Sequence, residues 1–380
     1  MSKIVFLKPA LEVDAVWDPI RTCSYLGIWF MASLMKSLGH QVWYLDETVR
    51  DGGLQKRSIF KRTLRGSDIE ETPLNISPEE FQTRKMADYQ SMGAEEFSKK
   101  YSAFKTDGVV ERTIIHVGNT EDETLAKIAE INPDFVGISL IATANYLPAT
   151  RLAKSIREKL PRVKIIFGGQ HISADPEGFL RDNPFVDHVV VGDAITVIQD
   201  IVDGKLTDKI IRGGFQEMGE YPFLDPSIIK EACYPTTPLY TFPTEGRKYA
   251  DFMFSRGCFR HCSFCVAGCQ RTHVSATEYD KVDEQLKIFR EHGIKELVIQ
   301  DDAFLWDAKH VQTHLPKILA LMKKHGMHWQ NNGGSTLKVL PISSPTSLFS
   351  TTRQGKEGLL LYTFPSIQEG GIKSSLLVVL

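Results

Sequence analysis

The sequence predicts an α/β protein whose N-terminal half is a doubly wound parallel sheet. Two observations indicate this fold: short apolar runs alternate with helix-like segments, and several of the runs end in glycine. Sheets of this kind bind ligands at the carboxyl ends of their strands. The residues that follow each apolar run are therefore the first candidates for a binding site.

The first elements follow from simple local signals. An apolar run over residues 3–7, ended by Pro9, predicts a buried strand and then a loop. A helix is expected from Leu26 to Leu38, ended by Gly39, and a strand over 41–46. Residues 50–108 are polar and charged, and they predict an insertion of helices and loops rather than sheet.

Regular alternation resumes after the insertion. Thr120 and Glu123 match a capping box, which starts a helix that runs to about residue 131. Gly168–Gly169 follow one predicted strand, and Gly192–Asp193 follow the next. The remaining elements of this 1–212 domain are strands at 113–117, 135–140, 163–167 and 186–191 and a helix at 147–160.

A proline-rich linker and a second α/β segment follow. Five prolines between 213 and 248 predict the linker. Over 249–334, strands are expected at 252–255, 296–302 and 327–330, with helices from 277 and 311. Residues 335–380 are rich in Ser, Thr, Pro and Gly, and they predict an irregular tail, truncated or aberrant.

Composition limits the classes of protein. The chain has 380 residues, 42% of them hydrophobic and 24% charged, with a net charge of −2, a balance typical of globular proteins of two or three domains. Near-neutral charge argues against nucleic acid as a partner, and no apolar stretch approaches the roughly 20 residues of a membrane span. No signal peptide is evident, and six cysteines are too few for a disulfide framework. We expect a cytoplasmic protein.

Three thiols carry the strongest chemical signal. Cys258, Cys262 and Cys265 have the spacing C-x3-C-x2-C and follow the apolar run 249–254. Thiolates are the ligands of iron–sulfur clusters. Three of them can hold one face of a [4Fe-4S] cluster and leave the fourth iron without a ligand from the motif.

Other interpretations of the cysteines remain. Cys269 extends the run to C-x3-C-x2-C-x3-C and could close the cluster, which would then only transfer electrons. A structural zinc site usually needs two separated C-x2-C pairs, and the sequence has no second pair. Cys23 and Cys233 are isolated and are interpreted as small core residues.

The motif resembles the signature of the radical S-adenosylmethionine (radical SAM) enzymes. In that family the open iron binds the amino and carboxylate groups of S-adenosylmethionine, and the aromatic residue at the place of Phe264 lies near the adenine. The resemblance assigns Asp301 and Asp302, after the second strand, to the amino group, since a carboxylate suits an ammonium; a helix N-cap is the alternative for one of them. Asn331 and Asn332 are equally compatible with a ligand contact and with a turn.

The N-terminal strand ends resemble the cobalamin-binding domain that precedes many radical SAM domains. The resemblance rests on Val136–Ser139, Gly168–His171 and Val190–Asp193, with Gln170 and Asp193 as modest departures from the usual Gly-Gly-Pro-His and Gly-Glu. It implies that cobalamin contacts a set of small and polar residues: Ser139, Gly168, Gly169, His171, Gly192 and Asp193. Residues 9–27 hold no histidine for the cobalt, and His171 is more typical of a residue that supports the site than of a ligand.

Together the resemblances imply a Rossmann-like cobalamin domain followed by a partial (β/α) radical SAM barrel. They imply an enzyme that cleaves S-adenosylmethionine, most commonly to methylate an unactivated carbon of a small molecule, with flavodoxin or ferredoxin as electron donor. Ring-forming and rearranging relatives are also compatible. A six-unit barrel needs roughly 190 residues, more than follow Lys248, so missing strands make activity doubtful. A non-catalytic cobalamin or electron-transfer protein, and a zinc-binding structural protein, are the alternatives.

Overall fold

The structure, a computed structural model, describes most of the chain. The described residues are 1–15, 25–48, 57–101, 104–106, 108–229, 244, 246–258, 273–305, 313–331, 334–335, 360–368 and 371–379. They form two compact units, Met1–Gln216 with Glu220–Leu239, and Glu217–Gly219 with Tyr240–Leu380. The finer domain boundaries, including the linker over 213–248, stay predictions.

The first unit contains eleven described strands and eight described helices. The strands are β1 (Lys3–Lys8), β2 (Leu11–Asp14), β3 (Gln41–Asp46), β4 (Arg57–Arg65), β5 (Asp68–Pro73), β6 (Phe104–Thr106), β7 (Val109–Val117), β8 (Phe135–Ser139), β9 (Lys164–Gly168), β10 (His188–Gly192) and β11 (Ile210–Gly213). The helices are α1 (Leu26–Ser37), α2 (Pro78–Ser91), α3 (Ala94–Tyr101), α4 (Glu121–Ile131), α5 (Tyr146–Lys159), α6 (Gln170–Ala174), α7 (Pro176–Asp182) and α8 (Ile198–Val202).

Six of these strands form the parallel sheet, in the order β11-β10-β9-β8-β1-β3. The apolar runs of β1 and β9 are buried because helices cover both faces of a parallel sheet. One core lies between the sheet and α4, α5 and α7, with Val136, Ile156 and Phe167 at its centre. The predicted doubly wound α/β fold is confirmed.

Local signals place the helices of this unit. Thr120 accepts the main-chain N–H of Glu123, and the Glu123 carboxylate accepts the N–H of Thr120 at 2.8 Å, so the predicted capping box starts α4. Helix α1 buries Trp29 and Met35 and is followed by Gly39 with a φ of +88°. These contacts confirm both helices close to their predicted ends.

The insertion differs from its prediction. Strands β2, β7, β4 and β5 form an antiparallel sheet in that order, with β6 paired to β7, although helices and loops alone were expected over 50–108. Every residue of β5 is exposed, so its sequence lacks the apolar alternation that indicates a strand. Main-chain pairing with β4 holds it, and α2 and α3 follow it.

The second unit contains a three-stranded parallel sheet in the order β12 (Tyr249–Phe252), β15 (Glu296–Ile299), β17 (His328–Asn331). Helices α9 (Tyr279–Glu291) and α10 (Leu315–Lys324) connect these strands. Two short pairs accompany the sheet: β13 (Ser255–Arg256) with β14 (Ser275–Ala276), and β16 (Ala303–Leu305) with β18 (Gly334–Ser335). The first strand ends at Phe252 rather than running over 252–255, because Ser255 and Arg256 turn to pair with β14.

Part of the C-terminal segment is ordered into strands. Strands β19 (Leu360–Gln368) and β20 (Gly371–Val379) pair as an antiparallel hairpin. The prediction of an irregular tail is therefore wrong for these residues. Strand formers such as Tyr362, Thr363 and Val378 explain the pairing.

None of the helices in the described ranges combines the length and the apolar content that a bilayer crossing requires.

Candidate functional site

The predicted cobalamin residues lie at one edge of the parallel sheet. Ser139 is paired with Gly168 at the ends of the adjacent strands β8 and β9, and Gly192 ends the next strand, β10. The main-chain N–H of Leu140 donates to the carbonyl of Gly168 at 2.7 Å. Since the carboxyl ends of parallel strands meet at one edge, the fold brings these sequence-distant residues together.

Glycine is required by close main-chain contacts at this edge. Gly169 has a φ of +108°, and a Cβ atom there would lie 2.5 Å from the carbonyl oxygen of Leu140. A Cβ on Gly192 would lie 2.6 Å from the carbonyl oxygen of Gly213. A Cβ on Gly168 would meet Val190 only at an ordinary contact distance of 3.8 Å. The chain itself therefore needs glycine at 169 and 192, whereas Gly168 presents bare main chain that a ligand could approach.

His171 and Asp193 are half-buried beside these glycines. The main-chain N–H of His171 donates to the carbonyl of Leu140 at 3.1 Å, and its imidazole packs edge-on against the ring of Tyr146, with 5.6 Å between centroids. The carbonyl of Asp193 accepts the hydroxyl of Thr196 at 2.8 Å. Both residues help to shape the turns that follow β9 and β10.

Sequence reasoning missed a buried polar contact at the point where the strand order reverses, between β1 and β8. The side chain of Asn145 is fully buried, and its amide donates to the carbonyls of Pro9 and Ala10 at 3.3 and 3.1 Å. Its side-chain oxygen accepts the hydroxyl of Tyr25 at 3.3 Å. Asn145 thus fixes the start of the loop after β1, and a polar residue directly before a helix was the available signal.

A pocket of about 240 Å³ lies where the inserted sheet meets the ends of β1 and β3. Charged groups from four strands and α5 line or border it: Glu12, Glu47, Arg62, Glu71, His116 and Arg151. None of the predicted cobalamin residues lines this pocket. It is a concave site of the first unit that is separate from the predicted cobalamin residues, and the polar insertion gave no sign of it.

Most of the charged side chains at this pocket are paired with one another. Arg62 bonds to Glu12 and, through its Nε atom, to Glu71 at 2.8 Å, and Arg151 reaches the same Glu71 carboxylate at 2.9 Å. Burial alone would lower the pKa of His116, but its contacts with Glu12 and the Asn119 carbonyl raise it above the ordinary value. The network therefore links four strands of the inserted sheet, β2, β4, β5 and β7, to α5.

Glu47 is the buried acid of the pocket. It is 4% exposed, and its Oε2 atom accepts the main-chain N–H of Ala10 at 3.0 Å. Burial raises the pKa of its carboxyl to about 7, although the hydrogen bond from Ala10 opposes this shift. Glu47 therefore changes charge near neutral pH.

In the second unit, two aspartates bind the main chain that leads into the thiol motif. The carboxylate of Asp301 accepts the main-chain N–H groups of Phe254 and Ser255 at 2.9 and 2.8 Å, and the hydroxyl of Ser255 at 2.5 Å. The Oδ2 atom of Asp302 accepts the N–H of Gly257 at 2.9 Å. Both aspartates thus contact residues just before Cys258.

The two aspartates differ in burial. Asp301 is 2% exposed, and burial raises the pKa of its carboxyl to about 7, although the hydrogen bonds from Ser255 and Phe254 favour the charged form. Asp302 is half-buried. The carboxylate of Asp301 is therefore not exposed to a ligand such as S-adenosylmethionine, whereas that of Asp302 lies nearer to solvent.

The thiol motif lies mostly outside the described residues. Cys258 is described and half-buried, and the positions of Cys262, Phe264 and Cys265 are not. The same holds for Cys23, Cys233, Cys269 and Asn332, while Asn331 ends β17. Among described side chains, no group of three His, Cys, Asp or Glu could hold a metal ion, so the cluster site stays a prediction.

The residues suit two of the three implied cofactors, the iron–sulfur cluster and cobalamin. Three thiolates match the ligand chemistry of an iron–sulfur cluster, and Cys258 follows a main chain that Asp301 and Asp302 hold. Small residues end three neighbouring strands, which leaves main chain open at Gly168 for a large flat ligand.

Comparison with known proteins agrees with the resemblance. A family model described as the B12 binding domain matches residues 102–202, which include every predicted cobalamin residue. An uncharacterized methyltransferase of Pyrococcus horikoshii is 30% identical over 215 residues, which are 50% of this chain and 45% of the relative.

Two further relatives have assigned activities. The cobalamin-dependent radical SAM methyltransferase TokK of Streptomyces tokunonensis is 24% identical over 46% of this chain and 28% of its own. The cytidylyl-2-hydroxyethylphosphonate methyltransferase of Streptomyces wedmorensis is 25% identical over 62% of this chain and 51% of its own. The chain thus spans about half, or less, of the length of these relatives. The resemblance to cobalamin-binding radical SAM proteins is confirmed.

Proposed function

We propose that this chain, which is related in sequence to the cobalamin-dependent radical SAM methyltransferases, methylates an unactivated carbon of a small molecule. Its cofactors in this proposal are a [4Fe-4S] cluster, S-adenosylmethionine and cobalamin. One observation carries the proposal: a glycine-ended sheet edge inside the B12-binding match and a C-x3-C-x2-C motif directly after β13 occur in the same chain.

The cysteines of the motif have the first role. Cys258, Cys262 and Cys265 would hold the cluster, and Phe264 would contribute to the adenine site of S-adenosylmethionine, as the resemblance implies. When bound, the cluster and cobalamin supply one-electron cleavage of a sulfonium and transfer of a methyl group, and the protein supplies position and exclusion of oxygen.

Asp302 is the carboxylate that we assign to the ammonium of S-adenosylmethionine. It is half-buried, and it bonds to Gly257, directly before the first cysteine. A carboxylate at that place favours a cation through a charge-assisted hydrogen bond. Asp301, buried against the main chain of Phe254 and Ser255, supports the site instead.

The edge formed by β8, β9 and β10 binds cobalamin in this proposal. Gly168 lets the ligand approach the main chain, Gly169 makes the close turn beside it, and Ser139 offers a hydroxyl to the ligand's amide groups. His171 and Asp193 shape the two turns that border the edge.

The remaining partners follow from the chemistry. The reaction needs a one-electron donor, for which a flavodoxin or ferredoxin is suitable, and a small-molecule substrate. With a net charge of −2, we expect no binding to nucleic acid, and we expect no membrane association. A cytoplasmic location suits an oxygen-sensitive cluster.

Anaerobic reconstitution tests the proposal. Protein supplied with iron, sulfide and cobalamin should hold about four iron atoms and one cobalt per chain. With a strong reductant and S-adenosylmethionine, it should release 5′-deoxyadenosine. The Cys262→Ala variant should lose both the iron and the release.

Cys269→Ala is the matched control, because it removes a neighbouring thiol outside the three-cysteine motif. It should keep the iron content and the cleavage of S-adenosylmethionine. Iron loss in Cys269→Ala equal to that in Cys262→Ala would show a fully ligated cluster and contradict the proposal. A colourless preparation that contains zinc would contradict it as well.

A further inference from the structure

We propose that Asp301 is a positioning residue that anchors the cluster loop, residues 257–274. It does so by holding the main chain just before Cys258. The inference rests on the proposed function for the identity of the bound group. It concerns a carboxylate buried beneath the loop rather than one that contacts S-adenosylmethionine.

Two consecutive main-chain N–H groups point to one carboxylate. Phe254 and Ser255 are consecutive, and in a regular strand their N–H groups would point to opposite sides. Here both donate to the Asp301 carboxylate, at 2.9 and 2.8 Å. Successive N–H groups that converge in this way form a concavity that suits an anion, and the carboxyl group of Asp301 occupies it.

This contact stabilises a change of chain direction. Strand β12 ends at Phe252, and Ser255 and Arg256 then pair with Ala276 and Ser275 of β14. Asp301 lies two residues after the end of β15, the neighbour of β12 in the parallel sheet. The carboxylate therefore fastens the turn between the sheet and the β13–β14 pair.

The β13–β14 pair joins the two ends of the cluster loop. Strands β13 and β14 stand on either side of the cluster loop, and the N–H of Thr277 donates to the carbonyl of Phe254 at 2.8 Å. Both ends of the loop are thus joined at residues that Asp301 holds. The first thiol, Cys258, lies only three residues after Ser255. A shift of Ser255 would therefore displace this thiol as well.

Asp301 and both of its main-chain partners are buried. Asp301 is 2% exposed, and the ring of Phe254 packs 4.8 Å from that of Phe252 and 6.0 Å from that of Phe304. Water has little access to such a site, so N–H groups that lost the carboxylate would stay unsatisfied. The contact should therefore be expensive to remove.

Asp301→Asn is the sharpest variant. In wild type, one oxygen of Asp301 accepts the N–H of Phe254 and the other accepts the N–H of Ser255. Either orientation of the asparagine amide therefore places an NH₂ group against a main-chain N–H. The volume hardly changes. Ser255→Ala is the milder second variant, because it removes the hydroxyl bond and leaves both main-chain bonds to Asp301.

Asp251→Asn is the matched control. Asp251 is also a buried carboxylate of this unit, at 1% exposure, and its carboxylate accepts the side-chain amide of Gln300 at 2.6 Å. It lies in β12, on the sheet rather than in the turn that leads to the loop. A general loss of stability in the unit should appear in both aspartate variants.

Limited trypsin digestion of the cluster-free protein is the first measurement, with Arg260 and Arg271 as cleavage sites in the loop. We expect cleavage in the loop to be roughly tenfold faster in Asp301→Asn than in wild type, the factor that one lost charge-assisted hydrogen bond commonly carries. Ser255→Ala should show a smaller increase, and Asp251→Asn should stay within about twofold of wild type. Equal cleavage in Asp301→Asn and Asp251→Asn would overturn the inference.

Iron release to a chelator from the reconstituted protein is the second measurement. It should be faster in Asp301→Asn than in Asp251→Asn, and unchanged release in Asp301→Asn would overturn the positioning role while the proposed function stood. If wild type assembled no cluster but Asp301→Asn still loosened the loop, the proposed function would fail and the anchoring contact would remain.

Discussion

The Nζ atom of Lys8 lies 2.8 Å from the Oδ2 atom of Asp46, and both side chains are only 2% exposed. The two residues are paired in register at the ends of the adjacent strands β1 and β3. Thr48 accepts a second hydrogen bond from the ammonium at 3.0 Å, and the ring of Tyr25 lies 5.2 Å from it. A buried ion pair thus joins the ends of β1 and β3, the edge strand of the parallel sheet, beside the pocket that Glu47 lines.

Removing one partner of this pair should be costly. Lys8→Met leaves the Asp46 carboxylate buried without its counter-charge, and we expect the free energy of unfolding to fall by about 3–5 kcal/mol. Urea denaturation followed by circular dichroism measures the change. The double variant Lys8→Met/Asp46→Asn removes both charges and should recover much of the loss; a double variant no more stable than Lys8→Met would contradict this account.

Glu47 should make stability depend on pH. Burial raises its folded-state pKa to about 7 from an ordinary 4.5, so between these values the folded chain binds more protons than the unfolded chain. The contribution of Glu47 is therefore fully present below about pH 4.5 and is lost as the pH rises through 7. Glu47→Gln cannot ionise, and its stability relative to wild type should increase by up to about 3 kcal/mol between pH 5 and pH 8.

Denaturation of wild type and Glu47→Gln at a series of pH values tests this expectation. The difference between the two proteins cancels the titration of groups that the substitution leaves alone. A difference that stayed constant from pH 5 to pH 8, or that moved in favour of wild type, would show that Glu47 is already charged in the folded protein.

The parallel sheet could be predicted because its strands are buried on both faces. Runs such as those of β1 and β9 are continuously apolar, and the helices between them carry caps and glycine ends. The β4–β5 hairpin escaped prediction because β5 is exposed throughout and carries mostly charged residues. One local signal was present: Gly66, with a φ of +62°, opens a two-residue turn between Arg65 and Asp68.

The site was predictable in part for a related reason. Strand ends of a parallel sheet share an edge, so Ser139, Gly168 and Gly192 could be grouped from the sequence. The partner of a buried carboxylate is chosen by long-range packing instead. Asp301 bonds to main chain 46 residues earlier, and no spacing rule distinguishes this from a ligand contact.

Arg62 should be irreplaceable by lysine in the inserted sheet. Its guanidinium joins Glu12 of β2 and Glu71 of β5 to β4, and a lysine ammonium cannot reproduce this branched contact. We expect Arg62→Lys to lower the free energy of unfolding by about 1–3 kcal/mol. Arg65 lies on the same strand as Arg62 and forms an exposed ion pair with Glu70 of β5. Arg65→Lys should therefore change the free energy of unfolding by about 0.5 kcal/mol or less. Similar losses in both variants would contradict the bridging role.

The neighbouring glycines 168 and 169 separate a structural need from a ligand contact. Gly169→Ala places its Cβ 2.5 Å from the Leu140 carbonyl at a φ of +108°, and we expect it to cost about 2 kcal/mol or more of stability. Gly168→Ala meets only an ordinary contact at 3.8 Å, so its stability should stay within about 1 kcal/mol of wild type.

Cobalamin titration of these two variants, followed by absorbance, then tests the edge itself. If the ligand approaches the main chain of β9, Gly168→Ala should weaken cobalamin binding roughly tenfold, since one added methyl group holds the ligand away from the strand end. Unfolding measurements on the same samples show whether the sheet is intact. A stable Gly168→Ala protein with wild-type affinity would place cobalamin elsewhere, because the extra methyl would then lie outside the contact.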